Sequence, residues 1–170
     1  MSLKKPKDIP KIPKTRKKKA HSAIEAIPEP KPDKLEYICR AYFKYDKLNK
    51  KQLYILSVET IAEFTSFAYE VSVDVVRDKH EIYLVLMGLT AKTNIVPEIK
   101  PAITEVEFDD LVGDYTINVV KQDGAINSCD MHFNLFLKEI KINKVFQPKK
   151  KNNRHFCNFY VDEEKFSFGV

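Results

Sequence analysis

Alternation at period two narrows most sharply what this chain can fold into. Phe67, Tyr69, Val71, Val73 and Val75 interleave with Ala68, Glu70, Ser72 and Asp74. Successive side chains of an extended strand point to opposite faces, so this spacing gives one dry and one wet face, which a helical period of 3.6 does not. The pattern returns at Thr104, Val106 and Phe108, set against Glu105, Glu107 and Asp109. Between these stretches, Arg77-Asp78-Lys79-His80 reads as a turn, and Pro97 and Pro101 bracket a loop. Residues 81–87 are apolar at both parities, the pattern of a strand covered on both sides.

The stretch from 108 to 137 carries the strongest hairpin signal. Residues 111–119 lead into Gln122-Asp123-Gly124, and Asp-Gly tolerates the positive φ that a tight hairpin needs. The returning strand sets Cys129, Met131, Phe133, Leu135 and Leu137 on one face, with Asp130, His132 and Asn134 on the other. Upstream, 35–45 and 53–58 read as strands about a turn at 46–52. Thr60 and Glu63 have capping-box spacing, which admits a helical turn over 60–64. Downstream, 139–146, 155–161 and 165–168 read as β, the last two as a hairpin across Asp162-Glu163-Glu164. Eight or nine short segments, mostly in hairpin order, predict an all-β, mainly antiparallel sandwich over 35–170. The clearest core is 66–137, with a C-terminal β extension at 138–170.

The first 34 residues are different in kind. They hold eleven Lys/Arg against four Asp/Glu and six of the nine prolines. The net charge of the tail is +7, whereas the remaining 136 residues carry eighteen Lys/Arg and twenty Asp/Glu, a net of −2. Proline removes backbone donors, the run Lys14-Thr15-Arg16-Lys17-Lys18-Lys19 repels itself, and few apolar groups offset the entropy of ordering. This segment reads as a disordered, basic arm. No run of 18 apolar residues predicts membrane insertion, and no apolar stretch follows the basic N-terminus as a secretory signal requires. Three widely spaced cysteines, Cys39, Cys129 and Cys157, fit reduced thiols in the cytoplasm, or in the nucleus of a nucleated cell, where the arm could serve as the address.

The segment Leu111-x-Gly113-x-Tyr115-x-Ile117 resembles a corner found in immunoglobulin-like and fibronectin-type-III-like sandwiches. The resemblance implies that Tyr115 is a buried structural residue whose hydroxyl ties back to the backbone upstream. It also implies that Gly113 opens the strand and that Gly124 lies in the following hairpin turn. Such an architecture implies no particular function.

The candidate chemistry is sparse. Cys129-x-x-His132 with His155-x-Cys157 has a composition that zinc accepts, but residues three apart on a strand diverge. A thiolate paired with a histidine needs a cleft and an orienting group that spacing cannot supply. The four glycines, Gly88, Gly113, Gly124 and Gly169, form no phosphate-binding loop. The sequence therefore nominates no catalytic residue, no metal site and no cofactor. Basic residues offer more. Lys14, Arg16, Lys17, Lys18 and Lys19 lie in the arm; Lys149, Lys150, Lys151 and Arg154 lie in a predicted loop over 147–154. Arg40, Tyr42 and Lys44 share one face of a predicted strand, where cations beside an aromatic suit phosphate contact and base stacking. The expectation is a non-enzymatic protein-interaction module with a basic tethering tail. The alternative is a nucleic-acid or ribonucleoprotein binder that grips phosphates with the tail and the 147–154 loop. The oligomeric state stays open.

Overall fold

The structure is a computed structural model that describes residues 32–169, apart from 66, 93–95, 97 and 150–152. Nine strands account for nearly all of its regular structure: β1 (Tyr37–Asp46), β2 (Lys51–Phe64), β3 (Tyr69–Asp78), β4 (Glu81–Ala91), β5 (Lys100–Phe108), β6 (Gly113–Lys121), β7 (Ile126–Asn134), β8 (Glu139–Phe146) and β9 (Cys157–Val161). They form two sheets packed face to face, one in the order β5-β2-β1-β9 and the other β3-β4-β6-β7-β8. Five strand pairs are antiparallel; β1 with β9 and β4 with β6 are parallel. The chain is thus an all-β sandwich of two mixed sheets. In the immunoglobulin-like arrangement the sheets are antiparallel. The parallel β4–β6 neighbours depart from the strand order that the resemblance implied.

Alternation decides which residues fill the interior. Cys39, Ala41 and Phe43 of β1 and Tyr54, Leu56 and Val58 of β2 face Ile82 and Leu84 of β4, Ile117 and Val119 of β6, and Cys129, Met131 and Phe133 of β7. Burying large apolar groups from both sheets is the main favourable contribution to such a fold. Tyr115 is buried, and its hydroxyl accepts from Val112 N at 3.4 Å and from Arg77 Nη2 at 3.3 Å. Gly113 (φ 86°) and Gly124 (φ 87°) adopt left-handed backbone. At the hairpin, Gly124 N donates to Lys121 O and Asp123 Oδ1 accepts from Ala125 N, which turns β6 into β7.

Four local expectations change. Residues 60–64 continue β2 and form no helical turn, because Thr60 Oγ1 accepts from Ala102 N (2.9 Å) and donates to Ala62 O (2.8 Å) across a bulge between β2 and β5. Pro101 lies inside β5 rather than at a loop boundary; β5 is an edge strand, where a residue without N–H is tolerated. Leu135 and Leu137 leave the core face, since β7 ends at Asn134, whose Oδ1 accepts from Leu137 N to start the turn into β8. The 165–168 segment forms no hairpin. After the short 3₁₀ turn Glu163–Lys165, Ser167 N donates to Phe43 O, and the Phe166 and Phe168 rings pack 5.0 and 5.3 Å from Phe43.

Where the chain enters the first sheet, a charged clasp holds it. Arg154 is buried, and its Nη2 donates to both oxygens of Glu36, at 3.2 and 3.1 Å. Lys121 Nζ reaches the same carboxylate at 2.5 Å. Asp33 Oδ1 accepts from His155 N, and Lys34 N donates to His155 O. Residues 33 and 34, placed in the arm by composition, are therefore bonded to the domain.

Candidate functional site

The basic residues singled out in the sequence do not form one surface. Arg40, Tyr42 and Lys44 do share the outer face of β1, as strand geometry requires, but carboxylates meet them there. Arg40 Nη2 lies 3.0 Å from Glu59, Lys44 Nζ lies 2.7 Å from Glu105, and Tyr42 OH donates to Glu105 at 2.6 Å. Arg40 also lies over the Tyr160 ring. Burial pushes the Tyr42 phenol well up, and the bond to Glu105 adds to it. Burial raises the Glu105 carboxyl, but hydrogen bonds from Lys44 and Tyr42 outweigh it and hold the group below its ordinary range. Arg154, expected in a solvated loop, is internal and committed to Glu36; that expectation is corrected by its burial. Lys149 is exposed. Lys14, Arg16, Lys17, Lys18, Lys19, Lys150 and Lys151 lie outside the described residues.

The cysteines and histidines diverge. Cys39, Cys129 and Cys157 are free and buried in the core, where desolvation pushes Cys39 up to about 12 and raises the other two thiols as well. His132 lies on the outer face of β7, 2.8 Å from Asp114, and His155 contacts Asn158. Among the described residues no group of three His, Cys, Asp or Glu is placed to hold a metal ion. An open concavity of about 620 Å³ beside Tyr115 contains His80, Asp114 and Asp130. Thr116 Oγ1 donates to Asp130 at 2.7 Å, and Asp114 faces His132, so each of these carboxylates already has a partner.

The larger feature is the outer face of the second sheet. Strand register lays its residues in rows. One row runs Val76, Tyr83, Asn118, Ser128, Phe146; beside it lie Val85, Val120 and Ile126. Asn118 accepts from Ser128 Oγ at 2.6 Å and donates to Ile82 O. A groove of about 440 Å³ runs past Ile126, Ser128 and Phe146 to Pro148, Lys149 and Asn153. Toward the other end of the same strands the face turns acidic. Asp78, Glu81, Asp114, Asp130 and Glu139 stand on it against Lys141 and Lys144, while Asp74 lies in the row of Val85, Val120 and Ile126. The signal for this face was present in residues 81–87, apolar at both parities. Ile82, Leu84 and Leu86 fill the core, while Tyr83, Val85 and Met87 face outward with no further layer of described residues over them.

No helix among the described residues is long and apolar enough to cross a membrane. Comparison with family models, with curated proteins and with solved structures returns no match.

Proposed function

We propose that the domain is a non-enzymatic protein-interaction module whose outer sheet face, on β4, β6, β7 and β8, takes a partner segment. The single observation that carries this reading is β4. Its sequence is that of a strand covered on both sides, yet on its outer side Tyr83 and Val85 are only half-buried and Met87 is exposed. An apolar patch bordered by polar groups is the usual composition of a protein contact. Charge complementarity points to the occupant: a cationic segment with interspersed apolar side chains, its cations toward Glu81 and Asp130 and its apolar groups toward Ile126 and Phe146. The basic arm adds a long electrostatic tether outside this contact. Three buried, unpaired thiols support a reducing compartment, the cytoplasm or the nucleus of a nucleated cell.

The test is capture by the full chain and by its Ile126→Asp/Met87→Asp variant, both sites lying on the exposed side of the sheet. A partner held by the parent and released by the variant supports the reading, provided its bound segment is cationic. Identical partners on both chains would remove it. The alternative, a nucleic-acid or ribonucleoprotein binder, draws its support from the +7 arm together with Lys149, since Arg40, Lys44 and Arg154 are bonded to carboxylates. Salt-dependent binding, described below, separates it from the first.

A further inference from the structure

The connections β1–β2, β3–β4, β5–β6 and β7–β8 all lie at one end of the sandwich. Register fixes this: Phe108, which ends β5, pairs with Tyr54 near the start of β2, and Gly113, which opens β6, pairs with Phe133 near the end of β7. Arg77 at the end of β3 reaches Asp110 in the β5–β6 connection at 2.7 Å. Three of the four connections hold large apolar side chains out in solvent. Leu48 is 94 % exposed, Phe136 95 %, Val112 73 % and Leu137 62 %. Polar residues are the ordinary occupants of such turns, and a leucine or phenylalanine there adds nothing to the core.

A second observation concerns the backbone. Lys50, Lys79 and Lys138 have φ of 51°, 53° and 53°, the left-handed region that glycine or asparagine normally fills. Lysine thus recurs at the same strained position in three turns of one end. Lys47, Lys50, Lys51 and Lys79 carry no ion pair among the described residues. Some carboxylates nearby are engaged: Asp110 by Arg77, Glu139 by Lys141, Asp114 by His132, and Asp46 by the N–H of Leu48 in its own turn. Asp46, Asp78, Glu81, Glu107 and Asp109 carry no ion pair there among the described residues, so the lysines that meet lipid are those on the turn tips, Lys47, Lys50 and Lys79. The recess between the turns is polar, lined by Asp46, Lys51, Arg77 and Asp110, so the exposed apolar groups share no dry floor on which a protein hot spot could seat.

We infer that this end of the sandwich lies on anionic phospholipid membranes, with Phe136, Leu137, Leu48 and Val112 entering the interface and the turn lysines meeting headgroup phosphates. Separate apolar side chains on turn tips suit a fluid interface, which closes around each one without a complementary pocket. Lysines beside them add attraction to anionic lipid, and the two signals together anchor where one alone is marginal. The contact is peripheral, involves no crossing of the bilayer, and leaves the outer face of the second sheet free.

The chain has no tryptophan, so Phe136→Trp places a single indole at the tip. The experiment uses the full chain with vesicles of phosphatidylcholine, alone or mixed with phosphatidylserine, at physiological salt. Expected are co-sedimentation with the mixed vesicles, a blue shift of the indole emission on binding, and quenching by lipids brominated on their acyl chains. Leu48→Ser/Phe136→Ser removes apolar groups and no charge, and should weaken binding roughly tenfold or more. Equal binding by that double variant would assign adsorption to the basic arm and overturn the inference. So would indole emission that does not respond to lipid. A blue shift that grows with protein concentration without vesicles would show a second copy covering this end, and would also overturn it.

Discussion

Replacing Glu36 by glutamine keeps the shape of the side chain and removes the charge that Arg154 needs. Arg154 retains 7 % of its side-chain exposure and Glu36 28 %. Breaking a fully buried ion pair from one side costs about 3–5 kcal/mol, because the surviving charge is stranded. With Glu36 partly wet, and Arg154 still bonded to Lys34 O at 3.4 Å, the lower end, about 3 kcal/mol, is expected. That corresponds to a fall in Tm of about 6–12 °C for a domain of this size. Urea unfolding followed by circular dichroism should show a lower midpoint with an unchanged slope. Replacing both partners, as Glu36→Gln/Arg154→Met, should recover most of the loss, since no guanidinium is stranded and Lys121, 20 % exposed, keeps Asp123 at 4.0 Å. If the double variant is as unstable as the sum of the single ones, the two residues do not act as a pair and the reasoning fails. The same clasp sets a pH dependence. Burial alone would raise the Glu36 carboxyl, but hydrogen bonds and charge from Lys121 and Arg154 bring it below its ordinary value. A depressed carboxyl contributes stability above its unfolded pKa and loses it as pH falls through the folded one. The parent should therefore lose stability in moderate acid more steeply than Glu36→Gln does.

Tyr115→Phe forfeits two long hydrogen bonds and is expected to cost about 0.5–1 kcal/mol in urea unfolding, against about 3–5 kcal/mol for Tyr115→Ala. Gly124→Ala meets no neighbouring atom but must hold φ 87°, so a loss of about 1–2 kcal/mol is expected from backbone strain alone. Cys39, Cys129 and Cys157 should resist a thiol reagent in native buffer and all react in urea; fast labelling of the native protein would contradict their burial. If the arm grips nucleic acid through the five charges of Lys14 to Lys19, binding to mixed-sequence DNA or RNA should fall with a log–log salt slope of about −4.5 for a duplex or about −3.5 for a single strand. No binding even at low salt would remove the nucleic-acid reading.

Alternation made the β-sheet interior legible. Val71, Cys129, Met131 and Phe133 fall inside where period two puts them, because a sheet with one dry face fixes parity, whereas Phe67 and Val75, of the same parity as Val71, are exposed, Phe67 before β3 begins and Val75 toward the end of that edge strand. Elements governed by distant partners were not legible. Thr60 and Glu63 have helix-cap spacing, but Ala102, some forty residues away, claims the Thr60 hydroxyl. Leu135 and Leu137 keep the parity of β7, yet Asn134 turns the chain before they can use it. Arg154 follows a run of lysines and reads as one more loop cation offered to an anionic partner; only Glu36, far away in sequence, makes it an internal group. The parallel pairs were hidden for the same reason, since hairpin spacing speaks only for strands joined by short turns. For the candidate surface, the double-sided apolarity of β4 was visible in the sequence, but whether its second face was covered depended on the sheet order.

The pairing of β9 with β1 sets a timetable for synthesis. Tyr37 waits for Cys157, and Ala41 for Val161, across 120 positions in each case. At elongation rates of about 5–20 residues per second, β1 emerges roughly 6–24 s before the strand that covers its edge exists. Closing so long a loop is entropically slow, and the interval leaves an unpaired row of amides and carbonyls open to neighbouring nascent chains. A ribosome stalled anywhere before residue 157 would hold a sandwich with one sheet permanently a strand short. The vulnerability of this protein to misassembly should therefore last until residues 157–161 have emerged, and a chaperone that recognises extended edges would be needed throughout that interval.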